Sequence, residues 1–96
     1  MTTVIVQPSR RKDKRLQATF PGRVVHFGSK GGSTYIDHGD PDVRAAWLAR
    51  HAVNENWRDW RSAGALARWL LWEETTLRKA VDTLNRKQKA YRFYIK

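Results

Sequence analysis

The chain has 96 residues, no cysteine and a formal net charge of +10. This length predicts one domain. The lack of cysteine excludes disulfides and cysteine-based zinc sites. A hydrophobic fraction of 41% with five tryptophans excludes a disordered polycation. Because no apolar run approaches the roughly 18 residues of a membrane span and the first residues lack a signal-peptide pattern, we expect a soluble intracellular protein.

The first predicted element is an extended basic arm, residues 1–15, with its charge at the far end. Residues 3–6 are all β-branched, which favours extended backbone, and Gln7-Pro8-Ser9 interrupts them. Five cations and one acid then follow within six residues and give a net charge of +4. They are Arg10, Arg11, Lys12, Lys14 and Arg15, with Asp13 as the acid.

A small β-hairpin is predicted next. Leu16, Ala18 and Phe20 alternate with polar residues, which is the period of a strand. Pro21-Gly22 supplies a turn, and residues 23–27 follow as the second strand. The glycine-rich residues 28–34 predict a loop, and Tyr35-Ile36 predicts a third short extended piece.

Two helices are predicted after this loop. Asp40-Pro41 marks the start of the first, because Asp caps free amides and Pro fits the first helical turn. This helix is expected to run to about residue 53, and apolar residues on two of its sides predict deep burial. Ser62 is the expected cap of the second helix, residues 63–73.

A third helix and a second arm complete the chain. The helix begins at Thr75 or Thr76, and its apolar stripe consists of Leu77, Ala80, Val81 and Leu84. Residues 86–96 contain no acid and have a net charge of +5. We predict an α+β fold: a small N-terminal hairpin and three helices in one domain, residues 16–89, with extended basic arms at residues 1–15 and 90–96.

Candidate catalytic and cofactor chemistry in the sequence is weak. The glycine-rich loop lacks the Gly-Lys-Ser/Thr of a phosphate-binding P-loop. No serine has a local activating pattern, and Glu73-Glu74 lie on different sides of a helix. Turns and helix caps account for most side chains of metal-ligand type, which are His26, Asp37, His38, Asp40 and His51. We therefore predict no catalytic residue, no metal and no cofactor.

Tryptophans and basic residues supply the candidate contacts with a partner. Residues 57–61 combine aromatic and cationic side chains that can stack on nucleic-acid bases, although core packing is the stronger interpretation for most tryptophans. Trp72 is a candidate for an exposed contact with another protein, and strand addition to a partner sheet can satisfy the arms. The predicted contact residues are Arg10, Arg11, Lys12, Lys14, Arg15, Trp57, Arg58, Trp60, Arg61, Trp72, Arg86, Lys87, Lys89, Tyr91, Arg92 and Phe93.

An ordered series of motifs between Phe20 and Leu84 resembles a known family. The motifs are Phe27-Gly28-Ser29-Lys30-Gly31, Tyr35-Ile36-Asp37-His38-Gly39-Asp40, Arg50-His51, Glu55-Asn56-Trp57, Ser62-Ala63-Gly64, Arg68-Trp69-Leu70-Leu71-Trp72 and Thr76-Leu77. They are similar to a family of small basic uncharacterised proteins of nucleocytoplasmic large DNA viruses and other large DNA viruses. Residues 33–38 depart from the family's usual Asp-Tyr-Thr-x-His pattern. The resemblance implies a viral setting and assigns no site residue.

From these features we predict a non-enzymatic structural component of a large DNA virus particle. It would be a minor capsid or cementing protein, made in the host cell interior and located in the virion, with capsid proteins or other virion proteins as partners. The alternative is a protein that binds or condenses double-stranded genomic DNA, since ten cations in the two flanks can neutralise phosphates. A metal-dependent enzyme is the weakest alternative, because it rests only on scattered His and Asp residues.

Overall fold

The computed structural model of the protein describes residues 2–96, which form a four-stranded sheet with helices on one face. The elements are β1 (Thr2–Pro8), β2 (Lys14–Phe20), β3 (Arg23–Ser29), α1 (Tyr35–His38), α2 (Pro41–Ala52), α3 (Ala63–Leu71), α4 (Leu77–Lys87) and β4 (Tyr91–Ile95). The predicted α+β class is confirmed, with the hairpin β2–β3 followed by the helices. Met1 lies outside the described residues.

The two ends of the chain, expected to be separate arms, are neighbouring strands of the same sheet. The strand order is β3-β2-β1-β4, in which β1 pairs with β2 antiparallel and with β4 parallel. Val4 lies opposite Phe93, and these side chains are 0% and 1% exposed. Burying their apolar surface favours the pairing, so the division into a domain and two arms differs from the structure.

The core lies between one face of the sheet and the helices. Alternate residues of the strands point to this inner face, as the period of two requires. They are Val4, Val6, Leu16, Ala18, Phe20, Val25, Phe27 and Phe93. The helical side of the core comes chiefly from α3 and α4, through buried Leu66, Leu70, Leu71, Val81 and Leu84.

Side-chain caps fix the starts of the three longer helices where the sequence predicts them. The Asp40 carboxylate accepts hydrogen bonds from the backbone amides of Asp42 and Val43. Ser62 and Thr76 cap α3 and α4 in the same way, each by accepting from the amide three residues later. These bonds satisfy helix-end amides that have no partner inside the helix.

The segment after the glycine-rich loop is helical, so the expected extended piece at Tyr35-Ile36 is wrong. Thr34 precedes α1, and the Asp37 carboxylate accepts from the Thr34 amide at 2.8 Å and from its hydroxyl at 2.9 Å. Gly39 ends the turn with φ of 63°, a left-handed conformation that favours glycine. The reach of Asp37 back to Thr34 is a local helix signal that outweighs the β-prone pair.

The expected deep burial of the first long helix is also wrong, because no residue of α2 is buried. α2 lies against the end of α3 instead of over the sheet. Arg44 Nε donates to the backbone oxygen of Trp72 at 2.6 Å, and Arg44 Nη2 donates to Glu73 Oε1 at 2.6 Å. Trp47 stacks on Trp72 with 4.7 Å between ring centroids. These contacts use one side of α2 and leave the other to solvent.

Candidate functional site

The face of the sheet opposite the helices carries a row of exposed and half-buried side chains that crosses all four strands. Tyr94, Ile5, Thr19 and Val24 are register neighbours, one from each strand. Tyr94 is 48% exposed and Val24 is 46% exposed. Since neighbouring strands lie about 4.8 Å apart, the row is about 14 Å long. We call these four residues the outer row.

The turn between β1 and β2 places cations beside the outer row, at one end of the strands. The backbone amide of Arg10 donates to Gln17 Oε1 at 3.0 Å, and Ser9 Oγ lies 2.7 Å from His26 Nδ1. These bonds draw the turn over the outer face, so that Gln17 is only 4% exposed. Arg10, Arg11 and Lys12 remain exposed, and we call them the turn cations.

A second group of cations lies on the other side of the outer row, at the opposite end of the strands. Because β4 runs parallel to β1, the start of β4 is at the end of the sheet far from the turn. Arg92 points to the same face as Tyr94, and its guanidinium carbon lies 6.0 Å from the Tyr94 ring centroid. Lys87 and Lys89 are exposed just before this strand. We call Lys87, Lys89 and Arg92 the strand cations.

Two side-chain amides close the free edge of β4. The Asn85 side chain accepts from the Phe93 amide at 2.8 Å and donates to the Phe93 oxygen at 2.9 Å. The Gln88 side chain likewise accepts from the Tyr91 amide at 2.9 Å and donates to the Tyr91 oxygen at 2.7 Å. An edge strand with unpaired backbone groups is a template for another strand. At these two residues the groups are occupied, so the expected strand addition is unavailable there.

Two predicted contact residues are buried, which corrects their assignment. Trp72 is 6% exposed and stacks on Trp47, while Phe93 is 1% exposed and lies edge-on to Phe20, with centroids 6.2 Å apart. A domain of this size needs large side chains to fill its core. Neither residue therefore presents the exposed side chain that docking onto another protein requires.

Other predicted contacts are half-buried, and several hold the fold together. Arg15 binds Asp37, the Trp57 oxygen accepts from Trp69 Nε1 at 2.7 Å, and the Arg61 guanidinium carbon lies 5.8 Å from the Phe20 ring centroid. Lys14, Trp60 and Tyr91 are half-buried too. The predicted contacts that stay exposed are Arg10, Arg11, Lys12, Arg58, Arg86, Lys87, Lys89 and Arg92.

Sequence reasoning missed the apolar part of the outer row. Tyr94 and Val24 were not among the predicted contacts, although each lies next to a buried residue of its own strand, Phe93 and Val25 respectively. The alternation of a strand sends Phe93 inward and Tyr94 outward. That alternation was the available signal, but it identifies a face only once the helical side of the sheet is known.

The side chains of metal-ligand type are used in local structure. Arg15 and Thr34 bind Asp37, His38 Nδ1 accepts from the Asp40 amide at 2.9 Å, and His51 Nδ1 lies 2.9 Å from the Trp47 oxygen. Within residues 2–96, no three such side chains are grouped to hold a metal ion. In the same part of the chain, no helix has the length and apolar character needed to cross a membrane.

The comparison with known proteins identifies a family. Residues 4–51 match the Family of unknown function (DUF5754), and this region contains most of β1, the β2–β3 hairpin, the glycine-rich loop, α1 and most of α2. Neither the curated proteins nor the solved structures include a match to the chain. Because the matched region is half of the protein, the chain belongs to the Family of unknown function (DUF5754).

Proposed function

We propose that the protein is a non-enzymatic structural component of a large DNA virus particle that docks onto an acidic surface of a capsid or other virion protein. The observation that carries this proposal is the outer row, with its exposed Tyr94 and Val24, flanked by cations at both ends of the strands. The motifs between Phe20 and Leu84 support the viral setting through their family resemblance.

The composition of this surface suits a protein partner. Docking surfaces between proteins combine an apolar centre with a polar rim, and tyrosine is enriched among the residues that dominate binding. Here Tyr94 and Val24 supply exposed apolar area, and the turn cations and strand cations supply the rim. A net charge of +10 favours an acidic partner, because complementary charge speeds encounter and excludes like-charged surfaces.

The outer row gives a direct test. In the double variant Tyr94→Thr/Val24→Thr, threonine keeps the strand preference while apolar contact area is lost. We expect about a tenfold loss of affinity for genome-free virus shells, measured by co-sedimentation, with an unchanged unfolding transition. The matched control is Val53→Thr, which removes an 80% exposed valine after α2. Equal retention of the double variant and the control on shells would refute the proposal.

A second candidate, binding of genomic DNA, is favoured by the two groups of cations. The turn cations and Arg92 lie at opposite ends of the outer face, so a duplex laid across the outer row can contact both, whereas Lys87 Nζ lies 5.0 Å from the Trp69 ring centroid on the helical side. The triple variant Arg10→Gln/Arg11→Gln/Lys12→Gln neutralises the turn cations. The logarithm of the DNA association constant should then fall less steeply with the logarithm of the salt concentration, its slope being smaller in magnitude by up to about 2.7. Gel shifts over a salt series measure this slope. Strong duplex binding that the outer-row double variant leaves intact would favour DNA over an acidic protein.

A further inference from the structure

A cleft of about 470 Å³ opens on the helical side of the sheet and is not part of the outer face. The glycine-rich loop forms one side, and α2 and the start of α3 form the others. Its volume is within the range of about 300–1,000 Å³ that is usual for small-molecule sites. It shares no residue with the outer row, the turn cations or the strand cations.

Part of the lining of this cleft is cationic, with contributions from β2 and α2. Lys14, Arg50 and His51 line it, and the described lining residues include no Asp or Glu. Neither Lys14 nor Arg50 forms an ion pair with another residue between 2 and 96. A backbone carbonyl only accepts hydrogen bonds, so His51 Nδ1 donates to the Trp47 oxygen and leaves Nε2 unprotonated in the neutral ring. The polar part of the lining thus offers two unpaired cations and an imidazole nitrogen.

The apolar part of the lining is held in place by packing. Trp47 stacks on His51 with 4.1 Å between centroids and an interplanar angle of 20°, and on Trp72 at 4.7 Å and 10°. Leu71 is fully buried below this wall, and Ala67 is 9% exposed. Stacked rings and buried aliphatic groups have little freedom to rearrange, so this wall is formed before a ligand arrives.

From this combination we infer that the cleft binds a small organic phosphate with a flat aromatic body, about the size of a nucleoside monophosphate. A phosphate carries nearly two negative charges at neutral pH and accepts several hydrogen bonds. Lys14 and Arg50 are the donors that suit it. The aromatic body would lie against the apolar wall and exclude water from it. This inference does not depend on the proposed docking function.

Three probes separate the parts of the proposed ligand. Adenosine 5′-monophosphate carries both parts, adenosine lacks the phosphate, and inorganic phosphate lacks the ring. Titration calorimetry at low salt should show the monophosphate binding at least tenfold more tightly than either fragment. Amide shifts in an NMR titration should be largest at residues 28–33, 50 and 51. Equal affinity for the monophosphate and inorganic phosphate would show general attraction to a cationic protein and overturn the inference.

Variants then locate the binding. Arg50→Gln and Lys14→Gln should each weaken monophosphate binding at least fivefold, whereas the exposed Arg58→Gln, which removes a charge outside the cleft, should leave it unchanged. Ala63 is exposed and lines the cleft, so Ala63→Leu fills space without altering charge and should also weaken binding. Thermal unfolding checks that each variant is folded. The inference fails if Arg50→Gln and Ala63→Leu bind the monophosphate as well as Arg58→Gln does.

Discussion

Arg15 and Asp37 form a two-point ion pair that joins β2 to α1. The guanidinium donates to the carboxylate through Nη1 at 2.5 Å and through Nη2 at 2.8 Å. Thr34 adds hydrogen bonds from its amide and its hydroxyl. The pKa of Asp37 is lowered well below its usual range, chiefly by the Arg15 hydrogen bonds and then by those from Thr34, against the opposing effect of burial. Arg15, predicted as a partner contact, thus has a structural role.

The lowered pKa of Asp37 predicts an acid-sensitive contribution to stability. The ionised carboxylate is favoured in the folded protein, so its contribution is complete above the unfolded pKa of about 3.9 and is lost as the pH falls toward the folded value. Asp37→Asn should lower the free energy of unfolding at pH 7 by about 1 kcal/mol, because solvent screens this partly exposed pair. Below pH 4 the variant should lose less stability than the parent protein.

Urea unfolding at pH 7, 4 and 2.5 measures this difference. Asp13→Asn is the control, because Asp13 pairs with Arg11 at 3.3 Å on an exposed turn and such pairs contribute little. If Asp37→Asn and the parent protein lost equal stability between pH 4 and pH 2.5, the ion pair would not be the source of the acid sensitivity.

Gly28 is required for two reasons that can be separated by mutation. Its φ is +78°, and a Cβ built there would lie 2.7 Å from Leu71 Cδ1. Gly22 has a similar φ of +72° but nothing within 4 Å of its Cβ position. Gly22→Ala should cost about 1 kcal/mol through backbone strain alone. Gly28→Ala should cost about 1–3 kcal/mol more, because the added methyl overpacks the core.

Chemical denaturation of both glycine variants supplies the comparison. Leu71→Ala removes the contacted group, so the cost of Gly28→Ala should shrink when measured in that background. Equal destabilisation by Gly22→Ala and Gly28→Ala would mean that Leu71 moves aside without cost.

Asn85 is predicted to stabilise β4 and to keep its edge from pairing with other chains. Asn85→Ala leaves the amide and oxygen of Phe93 without their side-chain partner. We expect a loss of about 2–3 kcal/mol, since unpaired buried polar groups are costly. The opened edge should also promote self-association. Analytical ultracentrifugation and denaturation test both effects, with the exposed Asn54→Ala as the control. A monomeric Asn85→Ala variant of parental stability would contradict this role.

The chain cut to residues 16–89, the domain expected from the sequence, should not fold. Without β1 and β4 the sheet is reduced to the hairpin β2–β3, and two strands are marginal in water. Phe93→Ala in the full chain should cost about 3–5 kcal/mol, whereas Tyr94→Ala changes an exposed neighbour and should cost much less. Circular dichroism and urea unfolding report these outcomes. A cooperative unfolding transition in the 16–89 fragment would show that the termini are dispensable.

Local signals in the sequence predicted local structure well. Asp40, Ser62 and Thr76 were expected as caps because their bonds are made within three residues, and the β2–β3 hairpin follows from alternation around Pro21-Gly22. The concentration of positive charge near both ends of the chain could also be read from the sequence. The outer row, which lies between the turn cations and the strand cations, could not.

Long-range pairing could not be predicted in the same way. Val4 and Phe93 are at opposite ends of the chain, and no local pattern shows that they are strand neighbours. The burial of α2 was overestimated for a related reason. Apolar residues such as Ala46 and Leu48 show that a helix can be covered, but they do not show which element covers it. The cleft could not be predicted either, because α2, α3 and the glycine-rich loop form it only when the fold brings them together.

The parallel pairing of β1 with β4 has a consequence for synthesis on the ribosome. β1 is made before β2, β3 and β4, and β4 is made after them, yet β1 and β4 are adjacent in the sheet. Contacts so distant in sequence form slowly, because a long loop must close first. Until β4 leaves the exit tunnel, Val4 and Val6 lack their strand neighbours Phe93 and Ile95. The nascent chain therefore completes its core only after residues 91–95 have emerged.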